Sequence, residues 1–317
     1  MTMESNRRWV FLAVNLAVLA IILYWLRENI SPSGVIGQLK AIPQEGILIA
    51  LALNLAAICV YGARLSLLLA SRGLPATAIV IIGFGMNGVL PFRLGEVAKL
   101  AYARQLFGIA TPRLIAATAA EKLMDLSALL LLGLVASQLF AAPYLNLGIT
   151  VAGILVGGFV LVLAVAFWVL AYRERSGRKT HRWIREAFDT LRAQNHRTKL
   201  VQLGLLTAII WIITVASVYG MFNAVFPQFS LSDASVLTLV LALAIAIPSA
   251  PAGLGVVEAA IVAYLYQALQ AEPNQALASA LAFHLIVVIP QVLAMAAILL
   301  GGFFFRRRLK DKPPVRI

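Results

Sequence analysis

The chain has 317 residues, of which 62% are hydrophobic and 12% are charged, against about 45–50% apolar and about 25% charged in a soluble globular domain. That balance excludes a soluble protein, and the polar stretches are too short to fold on their own, so one membrane domain with loops is expected. A net charge of +13 would suggest nucleic acid in a soluble protein, but here Lys and Arg flank apolar segments, so the charge is topogenic and no nucleic-acid partner is expected.

An apolar run near 20 residues crosses a bilayer core of about 30 Å. The first run, "RRWVFLAVNLAVLAIILYWLREN", has two arginines ahead of it, as a signal peptide does. It is longer than a signal core and no small-x-small cleavage site follows, so a retained helix is expected. Full spans are expected at 9-26, 46-70, 113-140, 147-171, 200-226 and 276-304. Within the second span, the single cysteine, Cys59, reads as a packed thiol, and Arg64 is expected to snorkel toward the cytoplasmic interface.

Region 76-108 contains "GMNGVLPFRLGEVAKLAY", where Pro91 and Gly95 interrupt the apolar pattern. It reads either as two thin spans or as a re-entrant helix pair, and the Pro/Gly break favours the pair, because broken backbone at membrane depth needs protein or a water-filled cavity around it. A helix beginning near Phe92 would place Arg93 and Glu96 in its first turns, where free N–H groups and the positive dipole end suit a phosphate. Arg93 would add a two-pronged donor for the same group, and Glu96 would hold Arg93 or bind a cationic headgroup. The plainer alternative is a surface ion pair; Lys99 and Arg104 are read as solvated charges.

In "TPRLIAATAAEKLMDLSALLLLG", Thr111 and Pro112 signal a helix start. At about 1.5 Å per residue, Glu121 lies about 14 Å and Asp125 about 20 Å along that helix. The two acids share a face and would repel if both were ionised. Lys122 can pair with Asp125, Arg93 with either acid, or one acid can be protonated and serve proton coupling; a structural network and a transport relay both remain open.

The loop 172-199 carries nine Lys and Arg and the tail 305-317 six, which puts the N-terminus, that loop and the C-terminus in the cytoplasm of a cell inner membrane. Around Trp183, Ile184, Phe188 and Leu191 the loop reads as an interfacial amphipathic helix. Region 233-270 is interrupted at Pro248, Pro251, Gly253 and Gly255, ahead of Glu258. Glu258 has no basic residue nearby in sequence and is expected either to be satisfied across a repeat interface or to face a cavity. His284 reads as a satisfied core histidine, and with no second His or Cys nearby no metal site and no cofactor are expected.

"PFRLG" and "PAGLG" share Pro, Leu and Gly, with Pro91 and Pro251 160 residues apart. One break enters from the cytoplasm and the other from outside, as in an inverted repeat whose broken helices line a substrate site near the midplane. The expected fold is therefore all-α: a polytopic helical membrane protein with six full spans plus two Pro/Gly-broken re-entrant helix pairs. Residues 1-304 form a single transmembrane domain, followed by the basic tail 305-317.

Pro91, Arg93, Gly95 and Glu96, then Glu121, Lys122 and Asp125, then Pro251, Gly253, Gly255 and Glu258, resemble in order and spacing the motifs of the lysylphosphatidylglycerol synthase transmembrane region, a flippase-like family. Lys122 stands where Arg is commoner. The resemblance runs over about residues 9 to 304 and implies movement of a lipid or lipid-linked headgroup between leaflets. In relatives that lipid is an aminoacylated phosphatidylglycerol, and stand-alone relatives are linked to hopanoids and polyprenyl-linked sugars. The cytosolic aminoacyl-transferase domain is not in this sequence, so a stand-alone member is expected. The expected substrate-binding residues are Arg93, Glu96, Glu121, Lys122, Asp125 and Glu258. Their partner would be a membrane phospholipid or lipid-linked substrate, with a lipid-synthesising enzyme as a second candidate. No G-x-x-x-x-G-K-[ST] loop is present, so transport would not be ATP-driven. Two alternatives are an intramembrane enzyme acting on lipid-linked substrates and a non-transporting scaffold of a lipid-synthesis complex. No H-E-x-x-H or serine-nucleophile motif supports the enzyme.

Overall fold

A computed structural model of the chain describes residues 30–69, 74–139, 197–246 and 250–310. The expected spans 9-26 and 147-171, nearly all of the loop 172-199, Pro248 and the last residues of the tail lie outside them. All regular structure among the described residues is helical. That suits a chain with so few polar side chains in lipid, because a helix satisfies its backbone N–H and C=O groups within the segment.

The first described helix, α1 (Pro32–Ala41), is too short to register as a span but has its own start signal. The Ser31 hydroxyl accepts the N–H of Gly34 at 3.1 Å and proline occupies the first helical position, where its missing N–H costs nothing. The Ser31 N–H donates to Asn274 Oδ1 at 2.8 Å, which fastens α1 to the beginning of the last helix.

Two long apolar helices, α2 (Gln44–Leu68) and α6 (Arg197–Val225), pack along most of their length. They run antiparallel: Gly46 lies against Ala224 and Gly220, the Ser217 hydroxyl donates to Ala50 O at 3.3 Å, and Arg64 meets Thr207. Next come α3 (Leu74–Val89), α4 (Gly95–Phe107) and α5 (Thr111–Leu139). The last third contains α7 (Leu231–Ala246), a single 3-10 turn (Pro251–Gly253), α8 (Val256–Leu269) and α9 (Pro273–Lys310). Glu272 precedes α9 and accepts the N–H groups of Asn274 at 3.0 Å and Gln275 at 2.8 Å.

Among the described residues, four helical stretches are long and apolar enough to cross a membrane: Gln44–Leu68, Thr198–Val225, Pro251–Leu269 and Pro273–Gly301. Helix α5 has 29 residues but carries Glu121, Lys122 and Asp125 near its middle. Helices α3 and α7 have 16 residues each and α4 has 13. At about 1.5 Å per residue these reach about 20–24 Å, short of a core of about 30 Å.

The two interruptions have the same backbone character. Phe92 (φ 55) and Arg93 (φ 57) are left-handed, and so are Ala252 (φ 59), Gly253 (φ 81) and Gly255 (φ 86). Left-handed backbone cannot continue a right-handed helix, so the expectation of a helix starting near Phe92 is corrected. Helix α4 starts at Gly95, Leu94 caps it without a side-chain hydrogen bond, and Arg93 lies ahead of the first turn. Non-glycine residues in this region cost of order 1–3 kcal/mol each and persist only where the surroundings impose them.

Close backbone approach imposes the first break. A Cβ on Gly95 would collide with the Gly83 carbonyl and, at 2.5 Å, with the Asn87 backbone nitrogen, both on α3. On its other side α3 presses on α9, where a Cβ on Gly85 would lie 2.5 Å from Met295 Cβ and one on Gly88 2.8 Å from Val292. Small residues permit such approach in membranes, where packing rather than water exclusion holds helices together. Two apolar clusters flank this region. One gathers Phe222, Phe229 and Phe283, with ring centroids 5.5 Å apart on either side of Phe222. The other gathers Leu65, Ile79, Leu114 and Leu203.

Gly95→Ala is therefore expected to lower the thermal midpoint in detergent, with a cost of roughly 1–3 kcal/mol typical of overpacking. Gly204→Ala on α6, where an added Cβ meets nothing within 4 Å, is expected to leave the midpoint unchanged or raise it slightly. Equal midpoints for the two variants would contradict the tight α3–α4 approach.

Candidate functional site

Helix α5 presents Glu121, Lys122 and Asp125 toward α2 and α4, and each finds a partner of opposite charge from another helix. Asp125 receives both prongs of Arg64 from α2, Nη1–Oδ1 at 2.7 Å and Nη2–Oδ2 at 3.1 Å. Glu121 takes Lys99 Nζ from α4 at 2.6 Å. Lys122 takes Glu96 Oε1, also from α4, at 2.8 Å. Three cations and three carboxylates thus close into a neutral network.

Exposure differs along this network. The Lys122 and Glu96 side chains are 54% and 29% exposed, those of Lys99 and Glu121 are 9% and 5%, and that of Arg64 is 0% while its partner Asp125 is 18% exposed. Arg64 is further held by Thr207 Oγ1 at 3.2 Å and by the Tyr61 ring, whose centroid lies 5.1 Å from the guanidinium carbon. Such contacts are what an unsolvated guanidinium requires, since a charge in hydrocarbon is costly until its hydrogen-bonding groups are satisfied. Between the pairs remains a cavity of about 20 Å³, lined by Tyr61, Arg64, Gly83, Glu96, Glu121 and Asp125 among others. It has room for about one water. Arg64 Nε and Glu96 Oε2 are buried without a protein partner.

Several sequence-based expectations are revised by this geometry. Arg64 does not snorkel; it is among the most buried side chains described. Lys99 is not a solvated charge but sits at 7% exposure against Glu121. Glu96 holds Lys122 rather than Arg93, and Asp125 pairs with Arg64 rather than Lys122. The repulsion expected between Glu121 and Asp125 is met by two different cations from two different helices. Arg93 is exposed on the break, and among the described residues no hydrogen bond or ion pair reaches its side chain.

Glu258 belongs to a separate cluster. It lies at the third position of α8, where its Oε2 accepts the Gly255 N–H at 2.7 Å. Its Oε1 meets His284 Nδ1 from α9 at 2.5 Å, and His284 Nε2 faces the Ala252 carbonyl at 3.2 Å. Pro251, Gly253 and Gly255 shape the turn that this cluster ties down. Of the predicted residues, Glu96, Glu121, Lys122 and Asp125 line the ion-pair cavity, Arg93 lies outside it on the first break, and Glu258 belongs to the second break.

Sequence reasoning missed Arg64, Lys99, Tyr61, Thr207 and His284 as members of these clusters. For Arg64 a signal existed: it is the one charge in the long apolar stretch after Glu45, and an intramembrane arginine requires a partner. No local signal identified the others, because their partners lie on other helices.

Asp125→Asn is expected to destabilise the protein by on the order of 3–5 kcal/mol, since it strands Arg64 as an unpaired buried charge. Lys122→Ala, which opens a half-exposed pair, is expected to cost no more than about 1 kcal/mol. Unfolding in detergent by a graded denaturant measures both. Equal small losses would mean that water reaches Arg64.

The family model for the lysylphosphatidylglycerol synthase TM region matches residues 12–294. No individually curated protein matches the chain significantly. The matched stretch contains both helix breaks and all six members of the ion-pair network. With apolar helices long enough to cross a bilayer and a family match over most of its length, this multi-pass membrane protein belongs to the family of the lysylphosphatidylglycerol synthase transmembrane region.

Proposed function

We propose that this protein moves a phospholipid or lipid-linked headgroup between the leaflets of the cell inner membrane without hydrolysing nucleotide. The observation that carries this reading is the neutral ion-pair network, half-exposed at Lys122–Glu96 and with Arg64 fully buried against Asp125, next to Arg93, whose side chain has no partner among the described residues. A charged headgroup supplies what that arrangement lacks. Its phosphate binds Arg93 first, through two-pronged hydrogen bonds. The outermost pair, Lys122–Glu96, opens at little cost because exposed pairs are worth about 1 kcal/mol or less. The inner pairs open only when the headgroup replaces the partner that each charge gives up. Partner exchange from Glu96 and Lys122 inward through Lys99 and Glu121 to Asp125 thus forms a polar path, while the acyl chains stay in the bilayer.

Two helix sets of similar form support an inverted repeat as the frame of this path. Helices α3 and α7 each precede a break, α4 and α8 each follow one, and α5 and α9 come next. Phe92 and Ala252, each one residue after a proline, share a left-handed φ of 55 and 59. The packing is exchanged as well: α3 lies on α9 and α7 lies on α5, while α2 packs on α3 as α6 packs on α7. With Lys and Arg concentrated in the loop 172-199 and the tail 305-317, the termini are assigned to the cytoplasm, the first break to the cytoplasmic side and the second to the outside.

Native mass spectrometry of the purified protein tests this directly. The wild type is expected to retain a specific anionic lipid that Arg93→Ala loses. Retention of the same bulk lipids by both would make Arg93 structural and favour a non-transporting scaffold. Turnover of a labelled lipid headgroup by the purified protein would favour an intramembrane enzyme instead.

A further inference from the structure

His284 has hydrogen-bond acceptors on both of its ring nitrogens. Nδ1 meets Glu258 Oε1 at 2.5 Å and Nε2 meets the Ala252 carbonyl at 3.2 Å. Both side chains are buried, at 9% exposure. Two ring protons make both contacts hydrogen bonds: Nε2–H donates to the Ala252 carbonyl and Nδ1–H donates to Glu258 Oε1, so that an imidazolium faces the carboxylate. When one proton leaves, a single N–H remains. If it stays between Nδ1 and the carboxylate, Nε2 turns a lone pair toward the carbonyl oxygen and the tie to Ala252 is lost.

Ala252 is where that tie matters. It is a non-glycine residue held at φ 59, in a conformation that persists only while its surroundings impose it. Glu258 holds the other end of the same turn through the Gly255 N–H at 2.7 Å. The carboxylate and the imidazole thus clamp the break on both sides, and the imidazole half of the clamp depends on a proton. The turn also packs against α3, the helix whose Gly83 lies over Lys99 and whose Asn87 lies against Gly95.

Other ionisable groups on the packed elements are occupied elsewhere, exposed, or placed at helix ends. The turn and α3 have none. On α8, Tyr264 donates to Asp233 Oδ1 of α7 at 2.9 Å and Tyr266 is exposed. On α1 and α2, Lys40 and Glu45 are exposed, while Tyr61 and Arg64 belong to the ion-pair cavity. On α6, Tyr219 is exposed, Lys199 is at the opposite end from the residues that meet α2's start, and Arg197 and the tail arginines Arg306, Arg307 and Arg308 lie at helix ends.

We propose that Glu258 and His284 form a proton-binding site whose occupancy holds the second helix break closed. Its role as the coupling step of transport rests on the translocase reading above; the clamp itself does not. The site is distinct from Glu121 and Asp125, the acids first considered for proton coupling, which are each engaged by a cation.

The test uses the full chain in nanodiscs. The protein has three histidines, and replacing His181 and His196 with Gln leaves His284 as the sole source of a 15N-histidine signal. From about pH 4 to about pH 9, the range that brackets an imidazole, both ring nitrogens are expected to be protonated at the acid end and one at the alkaline end. In a Cys59→Ser background, maleimide labelling of Leu254→Cys, at a position 66% exposed in the break, is compared with Gln228→Cys on an exposed loop. The ratio cancels the pH dependence of the thiol and is expected to rise about tenfold as the ring loses its proton, the scale of one charge-assisted hydrogen bond. His284→Gln is expected to abolish that rise. A ring that stays neutral at every pH, a flat ratio in the wild type, or the same rise in His284→Gln would each overturn the proposal, and the ring signal does so even if His284→Gln fails to fold. Movement of fluorescent phosphatidylglycerol in liposomes reports separately on transport. A pH-dependent clamp without lipid movement sustains the proton site and sinks the translocase reading; lipid movement with a flat ratio does the reverse.

Discussion

Arg64 sits at zero exposure in the last turns of an apolar helix, and much of the observed packing follows from satisfying its charge. Desolvating such an ion costs several kcal/mol, which only a well-aligned counter-ion with further hydrogen bonds offsets. Asp125 supplies the counter-ion, so α5 must lie against α2. The same turn of α5 carries Glu121 and Lys122 into the protein, and these need a cation and an anion of their own. Lys99 and Glu96 provide them from α4. Helix α4 is held in place in turn by the glycine contact of Gly95 with α3. One buried guanidinium is thereby linked to the positions of four helices.

The two breaks are handled by different chemistry on a similar backbone. At the first, Phe92 and Arg93 bear left-handed strain with no side-chain tie among the described residues, and close glycine packing behind them holds the turn. At the second, Gly253 and Gly255 reduce the strain, while Glu258 and His284 bond directly to the turn's backbone. An arginine without a partner among the described residues therefore stands at one break and a closed hydrogen-bond clamp at the other.

Much of the helix layout was legible before any coordinates. Runs of apolar residues marked α2, α5, α6 and α9 to within a few residues, because a span's length is a local property of the chain. The interruptions at Pro91 and Pro251 were legible for the same reason. Helix α1 was passed over although Ser31 and Pro32 carried its start signal. The start of α4 was misjudged because a capping rule does not register that Phe92 and Arg93 are left-handed. That conformation is imposed by contacts of Gly95 with Gly83 and Asn87, residues of a neighbouring helix.

The composition of the chain determined by itself that this is a helical membrane protein, and its motifs identified Arg93, Glu96, Glu121, Lys122, Asp125 and Glu258 as residues whose charge needs explaining. Both follow from free energies that add up residue by residue: apolar transfer, and the cost of a charge in hydrocarbon. Which charge meets which was decided only by the tertiary structure. Reasoning along the chain pairs Lys122 with Asp125, three positions away, whereas Asp125 bonds Arg64 at a separation of 61 residues and Glu121 bonds Lys99 at 22. An ion pair depends on separation in space to within a fraction of an ångström, and helices brought together by small-residue contacts fix that separation.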